Sequence, residues 1–171
     1  MPPADSGKDG RMWTNTRLLV LSTTLAMLST AAVASAQSSD AVYGTWELNV
    51  AKSTYSPGPG PKSASRTYTA VANGYKFSSK GIDAQGKPTA GAFTAHFDGK
   101  YYALTGSATV DSIMVKRIDA NRSESTQKKG DKVVIHTVRV VSKDGKTLTA
   151  TATGTNPDGK AYKNVEVFDK K

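Results

Sequence analysis

The sequence predicts an all-β protein, an antiparallel up-and-down barrel of about 8–10 strands preceded by a signal peptide. Apolar and polar residues alternate in one short stretch after another, which is the pattern of half-buried strands. Turn-forming residues separate these stretches at short intervals, and no helix-length periodicity lies between them. Connections this short require antiparallel neighbours.

Composition excludes several classes of protein. The chain has 171 residues, 37% hydrophobic, a length that suits a leader and one domain. It contains no cysteine, so disulfides and thiolate metal sites are excluded. Only two histidines are present, each alone on its predicted strand, whereas a transition-metal site usually needs three or four convergent ligands. With no Gly-x-Ser-x-Gly motif either, the sequence favours a non-enzymatic protein without metal or cofactor.

The first 36 residues have the features of a secretory signal peptide. Arg17 precedes an apolar run over 18–33, and Ala34-Ser35-Ala36 forms a small-x-small site. We predict cleavage between Ala36 and Gln37 and a periplasmic or secreted mature protein. Serine and threonine interrupt the apolar run, so a membrane anchor is disfavoured and no stable span is expected after cleavage. Met12 is an alternative start.

The predicted mature chain is basic. Cleavage removes three of 23 basic and two of 14 acidic residues, which leaves 20 against 12 and a net charge of +8. This excess suits either an anionic envelope polymer as partner or a solvated surface that prevents association. Nucleic acid is disfavoured because the lysines are scattered and do not alternate with aromatic residues.

The barrel domain is predicted over 44–171, after a loose N-terminal arm over 37–43. Its first strand, 44–50, places Trp46, Leu48 and Val50 on one face. A helical turn at 51–55 is possible before the Pro-Gly loop at 56–61, in which three prolines alternate with glycine.

The remaining strands follow one another through turns. Asn73-Gly74 predicts a type I′ hairpin with positive φ at both residues, and Asp98-Gly99 predicts another hairpin. The polar stretch 122–129 is expected at a sheet edge or projecting outward, whereas 132–142 is the most hydrophobic strand. The predicted strands after the first are 63–72, 75–82, 89–97, 100–104, 112–119, 122–129, 132–142, 147–154 and 161–169.

A sandwich is the alternative to a barrel, but it needs a long crossing connection, for which only the Pro-Gly loop qualifies. A meander removes both of its edges by closing on itself. The last strand is therefore predicted to pair with the strand that carries Trp46.

The run Gly44-Thr45-Trp46 on a first strand, followed by a meander and a closing strand, resembles the calycin group of lipocalins and fatty-acid-binding proteins. More narrowly, 44–53 with 56–59 and 116–121 is similar to small exported bacterial lipocalin-like proteins of undetermined function. The resemblance implies a barrel that binds a ligand. It also implies a basic residue across the tryptophan, for which Arg139 and Lys163 are candidates.

Arg117 and Arg139 are the candidate binding residues, since each shares its alternation with apolar positions on its strand. Guanidinium groups inside a barrel can hold a carboxylate or phosphate by forked hydrogen bonds. The alternatives are that both lie at the rim with exposed heads, or that one covers the tryptophan. The predicted ligand-binding residues are Trp46, Phe93, Arg117 and Arg139.

Two functional hypotheses follow from this pattern. The first is a binding protein for a small hydrophobic or anionic amphiphile, favoured by small alanines and threonines that leave room in the barrel. The second is a structural or interaction protein of the cell envelope, with a filled barrel and a basic surface. The volume of the interior distinguishes them.

Overall fold

A computed structural model describes residues 40–156 and 158–171, and these residues form strands with one short 3-10 turn. The predicted signal peptide and its cleavage site lie outside the described residues. The elements are β1 (Gly44–Leu48), the 3-10 turn (Val50–Lys52), β2 (Thr54–Ser56), β3 (Ser63–Val71), β4 (Gly74–Ile82), β5 (Pro88–His96), β6 (Tyr102–Ala103), β7 (Ser112–Arg117), β8 (Arg122–Lys129), β9 (Lys132–Val141), β10 (Thr147–Thr155) and β11 (Ala161–Lys170).

The strands form one antiparallel sheet in the order β5-β4-β3-β1-β11-β10-β9-β8-β7-β6. Trp46 is paired with Lys170 of β11 on one side and with Arg66 of β3 on the other. The two ends of the sheet meet at a bridge in which Ala92 and Thr105 exchange backbone hydrogen bonds of 2.9 and 3.1 Å. The predicted antiparallel up-and-down barrel and its closure on the first strand are confirmed.

The first strand is shorter than predicted. It ends at Leu48, and the Asn49 side chain then caps the 3-10 turn by accepting a hydrogen bond from the Lys52 backbone. The chain returns as β2, which pairs with the first half of β11 while β1 pairs with the second half. The helical turn considered over 51–55 is therefore a 3-10 turn followed by a strand.

The hairpin predicted at 73–74 forms, but not as a type I′ turn centred on Asn73-Gly74. Only Asn73 has a positive φ, of 49°, and Gly74 already belongs to β4, paired with Val71. Glycine is needed at 74 because a Cβ there would lie 2.1 Å from the carbonyl oxygen of Ala95 on the next strand. The glycine permits a close approach of two backbones instead of a second left-handed residue.

The hairpin predicted at 98–99 is not a regular one. Asp98 accepts hydrogen bonds from the Lys100 backbone and the Tyr102 hydroxyl, and this turn connects β5 to the two-residue β6. Strands β5 and β6 are the two ends of the sheet order, and the Ala92–Thr105 bridge supplies the backbone hydrogen bonds between these ends. The strand predicted over 100–104 is therefore shortened to the two residues of β6.

The polar strand β8 lies inside the sheet, which corrects the prediction of an edge. It pairs with β7 along one side and with β9 along the other. Its inward side chains include Ser123 and Ser125, which are buried. Pattern reasoning assigned this strand outward because it lacks an apolar face, but its small hydroxyl groups face a buried charge that is described below.

A cluster of aromatic rings fills one half of the barrel. Trp46, Tyr75 and Phe168 are fully buried, and Tyr68 is nearly so. The rings of Tyr68 and Tyr75 meet edge to face with centroids 5.3 Å apart. This half forms the core, and the other half remains open. No helix in the described part of the chain is long and apolar enough to span a membrane.

Candidate functional site

The open half of the barrel encloses a cavity of about 640 Å³. Residues at alternate positions of the strands face it, because successive side chains of a strand point to opposite sides of the sheet. Its floor lies toward the aromatic core, and its mouth lies toward the loops around residues 83–89 and 104–110. The apolar part of the wall includes Phe77, Phe93, Leu104, Ile113, Ile135 and Ala152.

A further space of about 550 Å³ adjoins this cavity at its mouth. Ala108, Thr109 and Ile135 line both spaces. Lys129 and Lys132 contribute positive charge there. The mouth therefore combines apolar wall with basic side chains, a surface that suits the approach of an anionic amphiphile.

Arg139 lies on the wall of the cavity near its floor. Only 6% of the residue is exposed, and its Nη1 donates a hydrogen bond of 2.9 Å to the Ser125 hydroxyl. Its Nε has no hydrogen-bond partner among the described residues, and neither do the buried hydroxyls of Tyr68 and Tyr75. A buried cation and the unpaired Tyr68 hydroxyl therefore line the cavity together, whereas Tyr75 lies in the aromatic core.

Electrostatics at this position keep the arginine charged. Burial lowers the pKa of Arg139, but the neighbouring Tyr75 and Tyr68 side chains, and more weakly Glu166, give a net raised pKa. The pKa of Tyr75 is raised to about 12, chiefly by burial, although the Arg139 charge acts in the opposite direction. The site thus presents a permanent positive charge beside the protonated hydroxyl of Tyr75.

A second charged group faces the same cavity. The Nη2 of Arg66 lies 2.5 Å from the Oε2 of Glu166, with side chains 20% and 15% exposed. The Arg66 guanidinium also stacks over the ring of Phe168, 4.3 Å from its centroid. The pair is fixed in position by both contacts.

Residues 40–43 cover the opposite end of the barrel, called the closed end below. Trp46 Nε1 donates a 2.7 Å hydrogen bond to the Val42 carbonyl, and the Ala41 backbone donates one of 2.8 Å to Ala120. Val42 is 6% exposed. The described part of the predicted loose arm is therefore packed, because it supplies the apolar side chain and the backbone bonds that close the barrel.

Arg117 belongs to this closed end. Its Nε lies 2.5 Å from Oδ1 of Asp40, a carboxylate whose side chain is 8% exposed. The Tyr43 hydroxyl donates a 3.0 Å hydrogen bond to the same carboxylate. Arg117 holds the covering segment in place and is not among the residues that line the large cavity, which Arg139 lines, and its role in ligand binding stays a prediction.

The other predicted site residues divide between the two halves. Phe93 and Arg139 line the cavity, whereas Trp46 lies in the core beneath Val42 and does not reach it. The basic residue over Trp46 is neither of the two candidates but Lys170, whose Nζ is 5.0 Å from the ring centroid. Lys170 directly faces Trp46 in the ladder.

Gly44 makes room for this arrangement. Its φ is +121°, and a Cβ at this position would lie 3.1 Å from the Cε of Lys170. Glycine two residues before the tryptophan thus lets the lysine stem cross the first strand and reach the indole.

Sequence reasoning missed Arg66, Glu166 and Ser125. Arg66 shares its alternation with Tyr68, and Glu166 shares its alternation with Phe168, so a signal for inward-facing charges was present. Charged residues on strands are ordinarily assigned to solvent, and only the cross-strand pairing shows that these two oppose each other.

The two histidines lie apart. His96 Nδ1 is 2.7 Å from the carbonyl of Ala72, and its ring meets that of Tyr102. His136 is on the outer face near Glu124. Within residues 40–156 and 158–171 no three acidic or histidine side chains are grouped so that they could hold a metal ion.

No family model matches this chain, and no curated protein matches it. Among solved structures, the chain is similar to zebrafish ileal bile acid-binding protein complexed with cholic acid, with a TM-score of 0.45 and 11% identity. The match covers 77% of this chain and 99% of the zebrafish chain.

Proposed function

We propose that this protein is a non-enzymatic binding protein that holds a small amphiphile in the barrel cavity, with the anionic head of the ligand on Arg139. One observation carries the proposal. The Arg139 guanidinium is buried beside an open cavity and has no ion-pair partner among the described residues.

A buried charge without a counter-charge is costly. Removing an ion from water costs several kcal/mol even after relaxation, and a single neutral hydrogen bond to Ser125 offsets about 1 kcal/mol of it. A ligand carboxylate would supply forked, charge-assisted hydrogen bonds to the guanidinium. The unpaired hydroxyl of Tyr68, which also lines the cavity, is a further donor.

The rest of the cavity suits an apolar chain. A volume of about 640 Å³ lies within the range of about 300–1,000 Å³ that is usual for small-molecule sites. Phe77 and Phe93 both line the cavity, and their rings stack with centroids 4.9 Å apart. This open interior supports the binding hypothesis over a filled barrel that acts through its surface.

Export to the periplasm or the cell exterior is part of the proposal. It is supported by the leader pattern over 1–36. Mass spectrometry of the protein from its own cells tests it: the expected mature N-terminus is Gln37. A mature chain that retains the leader would contradict export.

Ligand binding is tested with oleic acid and oleyl alcohol, which differ only in the head group, as competitors of a fluorescent fatty acid. Wild-type protein is expected to prefer the acid by at least about tenfold, since charge-assisted hydrogen bonds contribute about 1.5–3 kcal/mol. Arg139→Met keeps the side-chain volume similar and is expected to abolish this preference.

Arg122→Met is the matched control, because Arg122 lies on the outer face and pairs with Glu124 there. It is expected to leave both affinities unchanged. Equal binding of acid and alcohol by the wild type, or an unchanged preference in Arg139→Met, would contradict the proposal.

A further inference from the structure

The Arg66–Glu166 pair gives the cavity a second polar position, separate from the Ser125 contact of Arg139. Both members line the cavity, and their side chains remain 20% and 15% exposed. The pair therefore faces the space that a ligand would fill.

The strand register places this pair relative to Arg139. Arg139 is opposite Ala150, and Ala150 is opposite Glu166, so the three residues form one row across β9, β10 and β11. Two strand spacings separate the outer members, about 10 Å between Cα atoms. Ala150 carries only a methyl group, so no large side chain stands between the two charged groups.

The charges on the strands of the cavity wall do not balance. Arg66 and Arg139 are cationic and Glu166 is anionic, which leaves a net charge of +1 on these three residues. The other charged residue of the lining, Asp83, lies in the loop after β4, where its carboxylate accepts a hydrogen bond from the Lys87 backbone. One anionic group on the ligand compensates it. A ligand that also carried an ammonium group would have no net negative charge and would leave the excess in place.

The pair is equipped to bind a neutral polar group. A guanidinium has five N–H donors and a carboxylate about four acceptor sites, so one short contact leaves both types available. Stacking on Phe168 fixes the Arg66 plane, and Tyr55 lies close enough for the Glu166 charge to raise its pKa. The pKa of Tyr55 is about 12, mainly because of burial.

A half-buried ion pair is also a poor way to stabilise a barrel wall. Apolar residues of similar volume are often equally stabilising at such positions, because the pair loses hydration. A position that both donates and accepts hydrogen bonds matches an alcohol, which does the same.

We propose that the Arg66–Glu166 pair binds a hydroxyl group of the ligand, so that the ligand class is a hydroxylated amphiphilic acid with one negative charge. This inference rests on the proposed function, in which Arg139 binds the acid group. The hydroxyl then lies away from the acid group along the chain, because the two polar positions occupy different strands of the wall.

Oleic and ricinoleic acids test the inference, because ricinoleic acid is oleic acid with one added hydroxyl on the chain. Wild-type protein is expected to bind ricinoleic acid about tenfold more tightly, from a hydrogen bond to a charged group. Arg66→Met/Glu166→Leu removes both charges together, so no buried ion is stranded. It is expected to bind the two acids equally.

Arg122→Ala/Glu124→Ala removes an ion pair of the same residue types from the outer face and is expected to keep the tenfold preference. If the wild type binds both acids equally, the hydroxyl inference is wrong and the proposed function stands. If it binds neither acid, both are wrong. These two outcomes need only wild-type protein, so they decide the matter even if the double variant does not fold.

Discussion

Arg117 and Arg139 both lie at inward positions of their strands, but the groups that surround them differ. Arg117, at the closed end, contacts the carboxylate of Asp40 at 2.5 Å. Arg139, beside the cavity, donates a hydrogen bond to a serine hydroxyl, has no carboxylate partner among the described residues and is far more buried. Arg117 thus stabilises the fold through an ion pair, whereas Arg139 carries a charge that no described side chain neutralises. The difference is that the protein supplies a counter-charge to Arg117 and not to Arg139.

The same contrast extends to the two halves of the barrel. At the closed end, buried polar atoms are mostly paired: the Trp46 indole and the Tyr43 hydroxyl both have partners. Beside the cavity, the hydroxyl of Tyr68 is buried without a partner. Native proteins leave few such groups unpaired, and those that remain often mark functional sites. The closed end therefore stabilises the fold, and the half that contains the cavity is available to bind a ligand.

The largest effect is expected from Trp46→Ala. The indole is fully buried and bonded to Val42, so its loss leaves a cavity and releases the covering segment. We expect a loss of about 3–5 kcal/mol in the free energy of unfolding, measured by denaturant titration. Phe93→Ala, in the cavity wall, is the comparison and is expected to cost less, because its ring already faces open space. An equal loss of unfolding free energy in both variants would contradict the view that the closed half of the barrel contributes more stability than the cavity half.

A smaller effect is expected from Arg117→Met. It leaves the buried Asp40 carboxylate without its cation, and we expect the free energy of unfolding to fall by about 2 kcal/mol. Arg139→Met strands no carboxylate and is expected to leave stability unchanged or raised by about 1 kcal/mol. Thermal and denaturant unfolding of the two variants side by side measures the comparison. A larger loss for Arg139→Met than for Arg117→Met would reverse it.

The smallest effect at neutral pH is expected from Tyr75→Phe, within about 1 kcal/mol, because the hydroxyl has no hydrogen-bond partner to lose. At alkaline pH the stability of the variant is expected to differ from that of the wild type. The folded-state pKa of Tyr75 is about 12, above its ordinary value of 10.0, so the folded protein holds this proton more tightly than the unfolded chain. The resulting stability is complete below about pH 10 and is lost as pH rises toward about pH 12.

Denaturant titrations at pH 7 and at about pH 11 measure this difference. The wild type is expected to lose more stability than Tyr75→Phe over that interval. Part of the loss remains in the variant, since the pKa values of Tyr43 and Tyr55 are also raised to about 12. Identical pH profiles would show that the buried hydroxyl of Tyr75 does not contribute.

Most strand positions followed from the sequence, because alternation and turn residues are local signals. The ranges 63–72, 112–119 and 132–142 were predicted within one or two residues of β3, β7 and β9. The exceptions depend on contacts that are distant in sequence. Gly74 is a strand residue because of the backbone of Ala95, and β2 exists because β11 is long enough to pair with two short strands.

The candidate site was predicted only in part. Alternation identified Phe93 and Arg139 as inward-facing, but it gave the same answer for Arg117. Alternation has a period of two residues, so it assigns a face of the sheet and not a height along the barrel. Height decides whether an arginine meets Asp40 at the closed end or the cavity, and it depends on the register of strands that are far apart in sequence.

The sequence by itself determined the strand content, the antiparallel connections and the closure of the last strand on the one that carries Trp46. Tertiary structure alone decided which end is closed, that Lys170 covers the tryptophan, and that Arg66 meets Glu166 across a separation of 100 residues. The physical reason is that local residue patterns fix φ, ψ and the face of each side chain, whereas the partners of a charge are fixed only when the sheet closes.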